Sequence, residues 1–283
     1  FLIIKRFSLA DDIEFTFECN IEDINIELLT FLKSTKVNRL SIGLESTKKS
    51  NLEYLGRKYS IDFRNKIELA CKYFDNVNVD LIYALKTETL KDLEDDLDFL
   101  ISMNIKHIST YSLIIEEHTK FRFEKNIDDE IDYEMYKLIN KKLANYHHYE
   151  VSNFSLDGYE SKHNLVYWNN NKYYGFGLGA SGFIDDIRYE NNRNILEYIN
   201  GKFLKDYEKI DELKDMQNEM ILGLRKLDGV SKKNFYLKYG KKIEDVFDIK
   251  ELLNSKKLID NGKNIYISSD YIYLSNEILI NFI

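Results

Sequence analysis

The chain has 283 residues, of which 44% are hydrophobic and 31% charged, and its formal net charge is −8. This acidic balance argues against a general nucleic-acid binder, which carries a basic surface, and no uncharged apolar run approaches the roughly 18 residues of a membrane span. Two cysteines, Cys19 and Cys71, are too few for a disulfide framework, so the sequence predicts a protein of the reducing cytoplasm.

The first half of the sequence alternates short apolar runs with amphipathic stretches. The runs predict strands and the stretches predict helices, in the order strand 13–18, helix 24–32, strand 38–44, helix 60–73, strand 77–85, helix 90–103 and strand 107–115. Strands that alternate with helices of this length form βαβ units. The sequence therefore predicts a parallel sheet or barrel.

After about residue 120 the pattern changes. It predicts a long charged helix over 127–146, a short strand at 149–151 and an irregular aromatic segment over 167–183. The last part predicts helices over 210–224, 232–239 and 241–253, and then a hairpin that turns at Asn261-Gly262, the pair that type I′ turns prefer.

Three helices followed by a hairpin are typical of a small winged-helix-like module. Such modules often bind DNA, but residues 201–283 hold 15 basic and 14 acidic groups. This balance favours a solvated surface or a docking face for a protein client over a DNA-reading surface, so we expect no nucleic-acid partner.

Charged residues gather where the predicted parallel strands end, which is where sheets and barrels of this class place their sites. Glu18, Glu45 and Asp80 lie at or near three strand ends, and Arg57 lies in the connection after the second strand. Three carboxylates and an arginine at one rim can hold a ligand that bears an ammonium, a carboxylate and a ribose diol. The spacing leaves open the alternative of a solvated rim of charges.

A series of short motifs runs through the chain in a fixed order. The motifs are FECN at 17–20, VNRLSIGLES at 37–46, LGR at 55–57, DLIY at 80–83, YEVSNF at 149–154 and KHNLVYW at 162–168. Together they resemble the radical S-adenosylmethionine (SAM) family that contains oxygen-independent coproporphyrinogen III oxidase and the heme chaperones of the HemW branch. The HNxxYW string within 162–168 matches the chaperone branch specifically.

The resemblance implies an α/β fold, namely a partial radical SAM (β/α) barrel that lacks its first βα units, followed by an α+β winged-helix-like C-terminal module. It divides the chain into a partial barrel over 1–150, a connecting segment over 151–207 with the HNxxYW motif, and a HemN-type C-terminal domain over 208–283. Family members bind SAM beside a 4Fe-4S cluster that three cysteines hold in a C-x-x-x-C-x-x-C loop.

That cysteine loop is absent from this sequence, and the first residue is Phe1 rather than Met. We therefore expect either a fragment of a longer protein or the product of a decaying gene, with the cluster carried by the intact protein only. No metal ligand is predicted within the chain, because an iron–sulfur cluster needs its thiolates.

Carried over by position, the resemblance implies that Glu18, Arg57 and Asp80 contact SAM. Glu45 stands where the family normally has Gln, which exchanges an amide for a charged carboxylate at the same rim. In the HNxxYW string, His163 is the candidate axial ligand of heme, and the rings of Tyr167 and Trp168 are candidates to pack against the macrocycle. The alternative is that these aromatic residues form a small structural core.

For the remaining histidines and the two cysteines the sequence predicts no functional role. His107 opens a predicted strand, where a capping or surface role is expected, and Cys19 and Cys71 are expected to be small buried side chains. Three histidines lie on charged stretches and are expected to be solvated: His118, His147 and His148.

The resemblance implies heme binding and delivery to a heme-requiring respiratory protein, which can itself be membrane-associated. The enzymatic alternative is oxygen-independent coproporphyrinogen III oxidase, which makes vinyl groups by oxidative decarboxylation in porphyrin biosynthesis. A remnant retained for binding alone is the third alternative. The HNxxYW string favours the chaperone.

Overall fold

A computed structural model describes residues 6–57, 62–115, 121–124 and 127–283 of the chain. Contacts divide the chain into two compact units, residues 1–160 and 161–283. The three-part division that the resemblance implies stays a prediction. Among the helices within the described ranges, none combines the length and apolar character that crossing a membrane requires.

The first unit contains one mixed sheet. Its strands are β1 (Thr16–Asn20), β2 (Arg39–Glu45), β3 (Asn76–Tyr83), β4 (His107–Ser112), β5 (His147–Glu150) and β6 (Asn153–Ser155). Their order across the sheet is β1-β2-β3-β4-β6-β5, with β1 to β4 parallel and β6 antiparallel to both of its neighbours. The predicted parallel βαβ arrangement is confirmed, while the single strand expected at 149–151 is a hairpin of two strands.

Helices follow the parallel strands. They are α1 (Ile26–Lys33), α2 (Lys49–Leu55), α3 (Phe63–Tyr73), α4 (Leu90–Ser102) and α5 (Asp129–Lys142), with a 3₁₀ turn at Ile21–Asp23. Thr89 and Asp92 form a reciprocal capping box that starts α4, which explains why this helix begins where the sequence predicts. Helix α2 is absent from the prediction because its seven residues are too few to display an apolar stripe. Residues 60 and 61 of the helix predicted over 60–73 lie outside the described residues.

The sheet packs its apolar face against these helices. Leu40, Ile42, Val77 and Val79 are at most 1% exposed and belong to one continuous core with helix residues such as Leu97. Burying each such side chain stabilises the fold by about 1.5–3 kcal/mol. Because side chains alternate across a strand, the residues between them point to the opposite face, and that face is polar.

The second unit begins with a helix, α6 (Lys162–Trp168), and a small antiparallel sheet. The sheet contains β7 (Ser181–Ile184), β8 (Ile187–Asn191) and β9 (Leu204–Lys209), and a short helix α7 (Ile195–Ile199) joins the last two strands. The sequence did not predict this sheet. Strand β9 is exposed along its whole length, so it lacks the apolar alternation by which a strand is recognised.

The C-terminal part of the second unit has the predicted order of helices and hairpin. Its elements are α8 (Glu212–Gly223), β10 (Val230–Ser231), α9 (Lys232–Tyr239), α10 (Ile243–Val246), α11 (Lys250–Asn254), β11 (Leu258–Asp260), β12 (Asn264–Ile267) and α12 (Ser275–Leu279), with 3₁₀ turns at Ser269–Tyr271 and Ile280–Phe282. The helix predicted over 241–253 is two helices, because Phe247 is extended and ends the first of them.

The hairpin lies where the Asn-Gly pair predicts it, but its turn is of another kind. Only Gly262 has a positive φ, of +83°, so the turn is not type I′, which needs two such residues. The Asn261 side-chain oxygen instead accepts from the backbone N–H groups of Lys263 and Asn264, at 3.0 and 2.8 Å. The Asn261 side chain therefore supplies the acceptor for both backbone N–H groups inside the turn.

Candidate functional site

The ends of β1, β2 and β3 bring the predicted rim residues together. Asn20, Gly43 and Asp80 are direct register partners across these strands. Glu18 lies two residues before Asn20, and therefore on the same face of the sheet. The carboxyl groups of Glu18 and Asp80 interact electrostatically across the intervening strand.

Arg57 joins this rim from the connection after α2. The chain reverses through Gly56, whose φ of +78° places it in the left-handed region. The Arg57 guanidinium then donates from Nη2 to Glu45 Oε1 at 2.8 Å and from Nη1 to Asn20 Oδ1 at 2.9 Å. Arg57 is therefore engaged by two strand ends, and its direct role is to hold the Glu45 carboxylate in place.

Glu45 occupies an unusual backbone position. Its φ is +69°, and the pairing of β2 with β3 shifts register between Gly43 and Glu45. A Cβ on Gly43 would lie 3.1 Å from Glu45 Oε1, so the glycine leaves room for the carboxylate. Non-glycine residues in this region cost about 1–3 kcal/mol and are concentrated at functional sites.

Two of the rim carboxyl groups, those of Glu45 and Asp80, have a raised pKa and therefore resist ionisation. Burial raises the pKa of Glu45, the Arg57 guanidinium opposes that rise, and the charge of Asp80 adds to it. Burial also raises the pKa of Asp80, against a hydrogen bond from Asn78 and with a further contribution from Glu18. A cationic ligand group would favour the ionised carboxylates, so the rim suits an ammonium or sulfonium group.

A buried polar network, which the sequence did not predict, supports Asp80. Asn78 Nδ2 donates to Asp80 Oδ1 at 2.8 Å and to Ser41 Oγ at 2.7 Å. His107 Nδ1 lies 2.6 Å from Asn78 Oδ1, and His107 Nε2 lies 2.8 Å from the Tyr149 hydroxyl. Each of these side chains is buried or half-buried.

Each group of this network donates a hydrogen bond to the next, from Tyr149 towards Asp80. Because the Asn78 amide nitrogen donates twice, its oxygen accepts, and His107 therefore donates from Nδ1. Burial lowers the pKa of His107 to about 3, so the imidazole is neutral and its Nε2 accepts from the Tyr149 hydroxyl. The chain of hydrogen bonds ends on the Asp80 carboxylate and fixes its orientation.

The expected surface role of His107 is wrong, since the side chain is fully buried. Its strand places it against Asn78 of β3, and a polar sheet face offers it partners there. The sequence does carry a signal for this face: polar residues recur at every second position. They are Arg39 and Ser41 in β2, Asn76, Asn78 and Asp80 in β3, and His107 and Ser109 in β4.

The HNxxYW residues lie in the second unit, on helix α6. His163 is exposed, and its Nε2 lies 2.8 Å from the hydroxyl of Tyr167, one helical turn later. Tyr167 meets Tyr173 edge to face, with ring centroids 4.6 Å apart. Trp168 lies under the Arg225 guanidinium, at 5.6 Å, and its buried indole nitrogen has no hydrogen-bond partner among the described residues.

The cysteines of this chain do not fit a 4Fe-4S cluster. Three thiolates are needed, whereas the sequence holds two cysteines, 52 positions apart. Cys19 packs against the apolar core, and burial raises the pKa of its thiol to about 12, which disfavours the thiolate. Cys71 is exposed on α3, so the expectation that it is buried is wrong.

Two of the three histidines expected to be solvated are described. His147 is exposed. His148 is half-buried and stacks on Phe154 with ring centroids 4.1 Å apart, and burial lowers its pKa to about 4, so the expectation of a solvated side chain is wrong. Its position in the β5–β6 hairpin, which the sequence did not predict, is the reason. His118 lies outside the described residues.

Two family models match the chain. The model of the radical SAM superfamily matches residues 1–100, and the model of the HemN C-terminal domain matches residues 210–277. These matches cover the first part of the parallel sheet and most of the C-terminal helices and hairpin.

Curated relatives match over nearly the whole chain. The protein named heme chaperone HemW from Bacillus subtilis is 37% identical over 286 residues, which cover 95% of this chain and 76% of the relative. The protein of the same name from Lactococcus lactis is 34% identical over 285 residues, which cover 95% of this chain and 75% of the relative.

A solved structure also matches. Coproporphyrinogen III oxidase (HemN) from Escherichia coli, a radical SAM enzyme, superposes with a TM-score of 0.83 at 16% identity, covering 99% of this chain and 72% of that chain. At this identity the likeness concerns the fold alone. It confirms the fold class expected from the sequence.

Proposed function

Because the chain belongs to the HemW family of radical SAM proteins, we propose that it binds heme and delivers it to a heme-requiring protein. The observation that carries the proposal is 34–37% identity to proteins named heme chaperone HemW over 95% of the chain. The HNxxYW string at 163–168 points the same way. The client class we propose is a heme-requiring respiratory protein.

For heme, the candidate axial ligand is His163. Its imidazole is exposed on α6, and the hydrogen bond with Tyr167 orients the ring. Tyr167, Tyr173 and Trp168 supply aromatic surface close to the histidine along the chain, and flat rings suit packing against a macrocycle. Neutral imidazole is a common axial ligand of heme iron.

We expect His163→Ala to abolish or strongly reduce the Soret shift that ferric hemin gives with the wild-type chain, because the iron would lose its axial nitrogen. Absorbance titration with hemin measures this directly. His147→Ala is the matched control, since His147 is an exposed histidine of the first unit. An unchanged shift in His163→Ala removes this residue from the proposal, and no shift with the wild type contradicts heme binding itself.

At the strand-end rim, we propose that Glu18, Glu45, Arg57 and Asp80 form the binding site for SAM. The buried carboxyl group of Glu45 and the half-buried one of Asp80 are suited to accept hydrogen bonds from an ammonium or a ribose diol. Arg57 acts through Glu45, which it holds at 2.8 Å, and is therefore a positioning residue. The radical SAM family implies this cofactor and its cluster, but the cluster is not assigned to any residue of this chain.

Arg57→Gln is expected to weaken SAM binding about 10- to 100-fold, because loss of a charge-assisted hydrogen bond costs about 1.5–3 kcal/mol. Without the guanidinium the pKa of Glu45 rises further, so the loss should be larger at pH 6 than at pH 8. Calorimetric titration at both pH values measures the effect. Arg64→Gln, at an exposed arginine, is the control, and equal affinities of the two variants would contradict the assignment.

The oxidase alternative has less support. Oxygen-independent coproporphyrinogen III oxidase shares the fold, but the 16% identity of the solved HemN structure gives no evidence about activity. The HNxxYW string and the names of the curated relatives both favour the chaperone.

A further inference from the structure

A buried arginine lies on the polar face of the first unit's sheet. Arg39 is the first residue of β2, is 4% exposed, and shares its face with Ser41 and Gly43. Within the described part of the chain no hydrogen bond or ion pair reaches its guanidinium, and Nε is a buried donor without a partner. This residue belongs to none of the sites assigned above.

Such a group is costly unless something pairs with it. Arginine does not lose its proton in proteins, and a buried charge is ordinarily paired or hydrogen-bonded. Arg57 follows this rule, since it holds Glu45 at 2.8 Å. Arg188, whose Nε is likewise buried without a partner among the described residues, still donates from Nη2 to Asn170 at 3.0 Å. Arg39 thus carries an unused binding capacity of one positive charge and several N–H donors.

More unused polar atoms lie on the same face. Asn76 is the register partner of Arg39, and its Oδ1 is buried without a hydrogen-bond partner among the residues that the structure describes. Within the same described ranges, Asn153 Oδ1 and Ser155 Oγ, on β6, are also buried without partners. Ser155 pairs with His107, which places it on the polar face as well. A ligand lying against this face would find both donors and acceptors.

Asp80, an acidic residue of this face whose carboxylate interacts electrostatically with Arg39, does not fill the role. The Asp80 carboxylate feels the charge of Arg39 but takes its hydrogen bonds from Asn78 and Ser41, at 2.8 and 3.4 Å. No ion pair within 4.0 Å links it to the guanidinium among the described residues. The anion that matches Arg39 therefore has to come from elsewhere.

We propose that Arg39 is a subsite for the carboxylate of a ligand that lies against the polar face of the β1–β4 sheet. The planar guanidinium presents a fork of N–H donors that matches a carboxylate in two parallel hydrogen bonds. The inference goes beyond the proposed function, because a small carboxylate tests it with neither heme nor SAM present.

The test uses the whole chain labelled with ¹⁵N-arginine, which gives one Nε–H signal for each of eight arginines. Arg39→Lys assigns the Arg39 signal while it retains the charge. On titration with formate or propionate, we expect a saturable downfield shift of that signal. Arg193 is an internal reference, since its Nε already donates to Glu190 at 2.5 Å, and Arg188 Nε is a reference for a buried N–H without a carboxylate.

Chloride at equal ionic strength is the control. A shift with carboxylates and none with chloride supports the subsite. No response of the Arg39 signal to either carboxylate overturns it, and so does a response to inorganic phosphate alone. In Arg39→Gln, the affinity for propionate, measured by calorimetry, should fall about tenfold or more.

A second pair of titrations identifies the source of the carboxylate and rests on the proposed function. The shift of the Arg39 signal is measured in titrations with protoporphyrin IX and with its dimethyl ester, and then with SAM and with its decarboxylated form. A response lost on esterification assigns a propionate side chain, and one lost on decarboxylation assigns an amino-acid carboxylate. Equal responses with and without the carboxyl group overturn the subsite, whereas loss of all tetrapyrrole binding would contradict only the chaperone proposal.

Discussion

Replacing Glu88 by Gln should stabilise the first unit by about 2–4 kcal/mol at pH 7.5 and flatten its dependence on pH. Glu88 lies in the turn between β3 and α4, is 7% exposed, and accepts a hydrogen bond from the Leu85 N–H at 3.2 Å. Its other carboxyl oxygen is buried without a partner among the described residues. Burial raises the pKa of Glu88 to about 8, and the charges of Asp96 and Asp92 add to the rise.

The sign of the effect follows from where the proton is held. Between about pH 4.5 and pH 8 the folded chain keeps the Glu88 proton while the unfolded chain releases it. Stability contributed by this group is therefore lost as the pH rises through that window. Glutamine retains an oxygen for the Leu85 N–H and carries no charge, so it removes the penalty.

Hydrogen exchange of amides in β3 and α4 measures this prediction in the first unit alone. The opening free energy of the wild type should fall from pH 5 to pH 8, and the Glu88→Gln variant should show a smaller fall. Glu53→Gln, at an exposed glutamate of α2, should behave as the wild type. A variant that is destabilised equally at every pH would show that Glu88 is ionised and needed as such.

Replacing Gly229 by Ala should destabilise the second unit by about 3–5 kcal/mol. Gly229 has a φ of +69° just before β10, and a Cβ there would lie 2.1 Å from the backbone oxygen of Ile265 and 2.5 Å from Tyr266 Cβ. Ile265 belongs to β12, the pairing partner of β10, so relief of the overlap requires the strands to move apart.

Gly240→Ala provides the matched control. Gly240 has nearly the same φ, +66°, but apart from its chain neighbours no described residue has an atom within 4 Å of the position that a Cβ would take. Gly240→Ala should lower the free energy of unfolding by only about 1 kcal/mol, the cost of a non-glycine residue at a positive φ. Urea unfolding followed by the fluorescence of Trp168, the sole tryptophan of the chain, reports on this unit. Equal costs for the two variants would show that the close contact with Ile265 is relieved without strain.

Local patterns were sufficient where a segment's own residues decide its structure. Helix α4 has both a capping box and an apolar stripe, and strands β2 and β3 alternate apolar with polar residues, the apolar ones lying in the core. The hairpin near Asn261 follows from turn chemistry within a few residues. Strand β9 was missed because its six residues are all exposed, and its pairing with β8 is a property of the partner strand.

For the rim residues too, some features follow from the local sequence and others only from tertiary packing. The spacing of Glu18, Glu45 and Asp80 behind their strands predicted that they share an edge, because the ends of parallel strands meet there. The spacing contained no information on which groups pair. The Arg57–Glu45 contact depends on the left-handed turn at Gly56 and on the register shift in β2, which arise only when the strands and α2 pack together.

The amino-acid sequence by itself determined the βαβ order, the C-terminal module and the family, because these depend on periodicity and on short motifs. Only the tertiary structure decided which face of the sheet is polar, that His107 is buried in it, and that Arg39 has no partner in the described part of the chain. The physical reason is that burial and pairing belong to neighbouring strands that lie far apart along the chain. Each strand carries its own alternation, but its meaning depends on what packs against it.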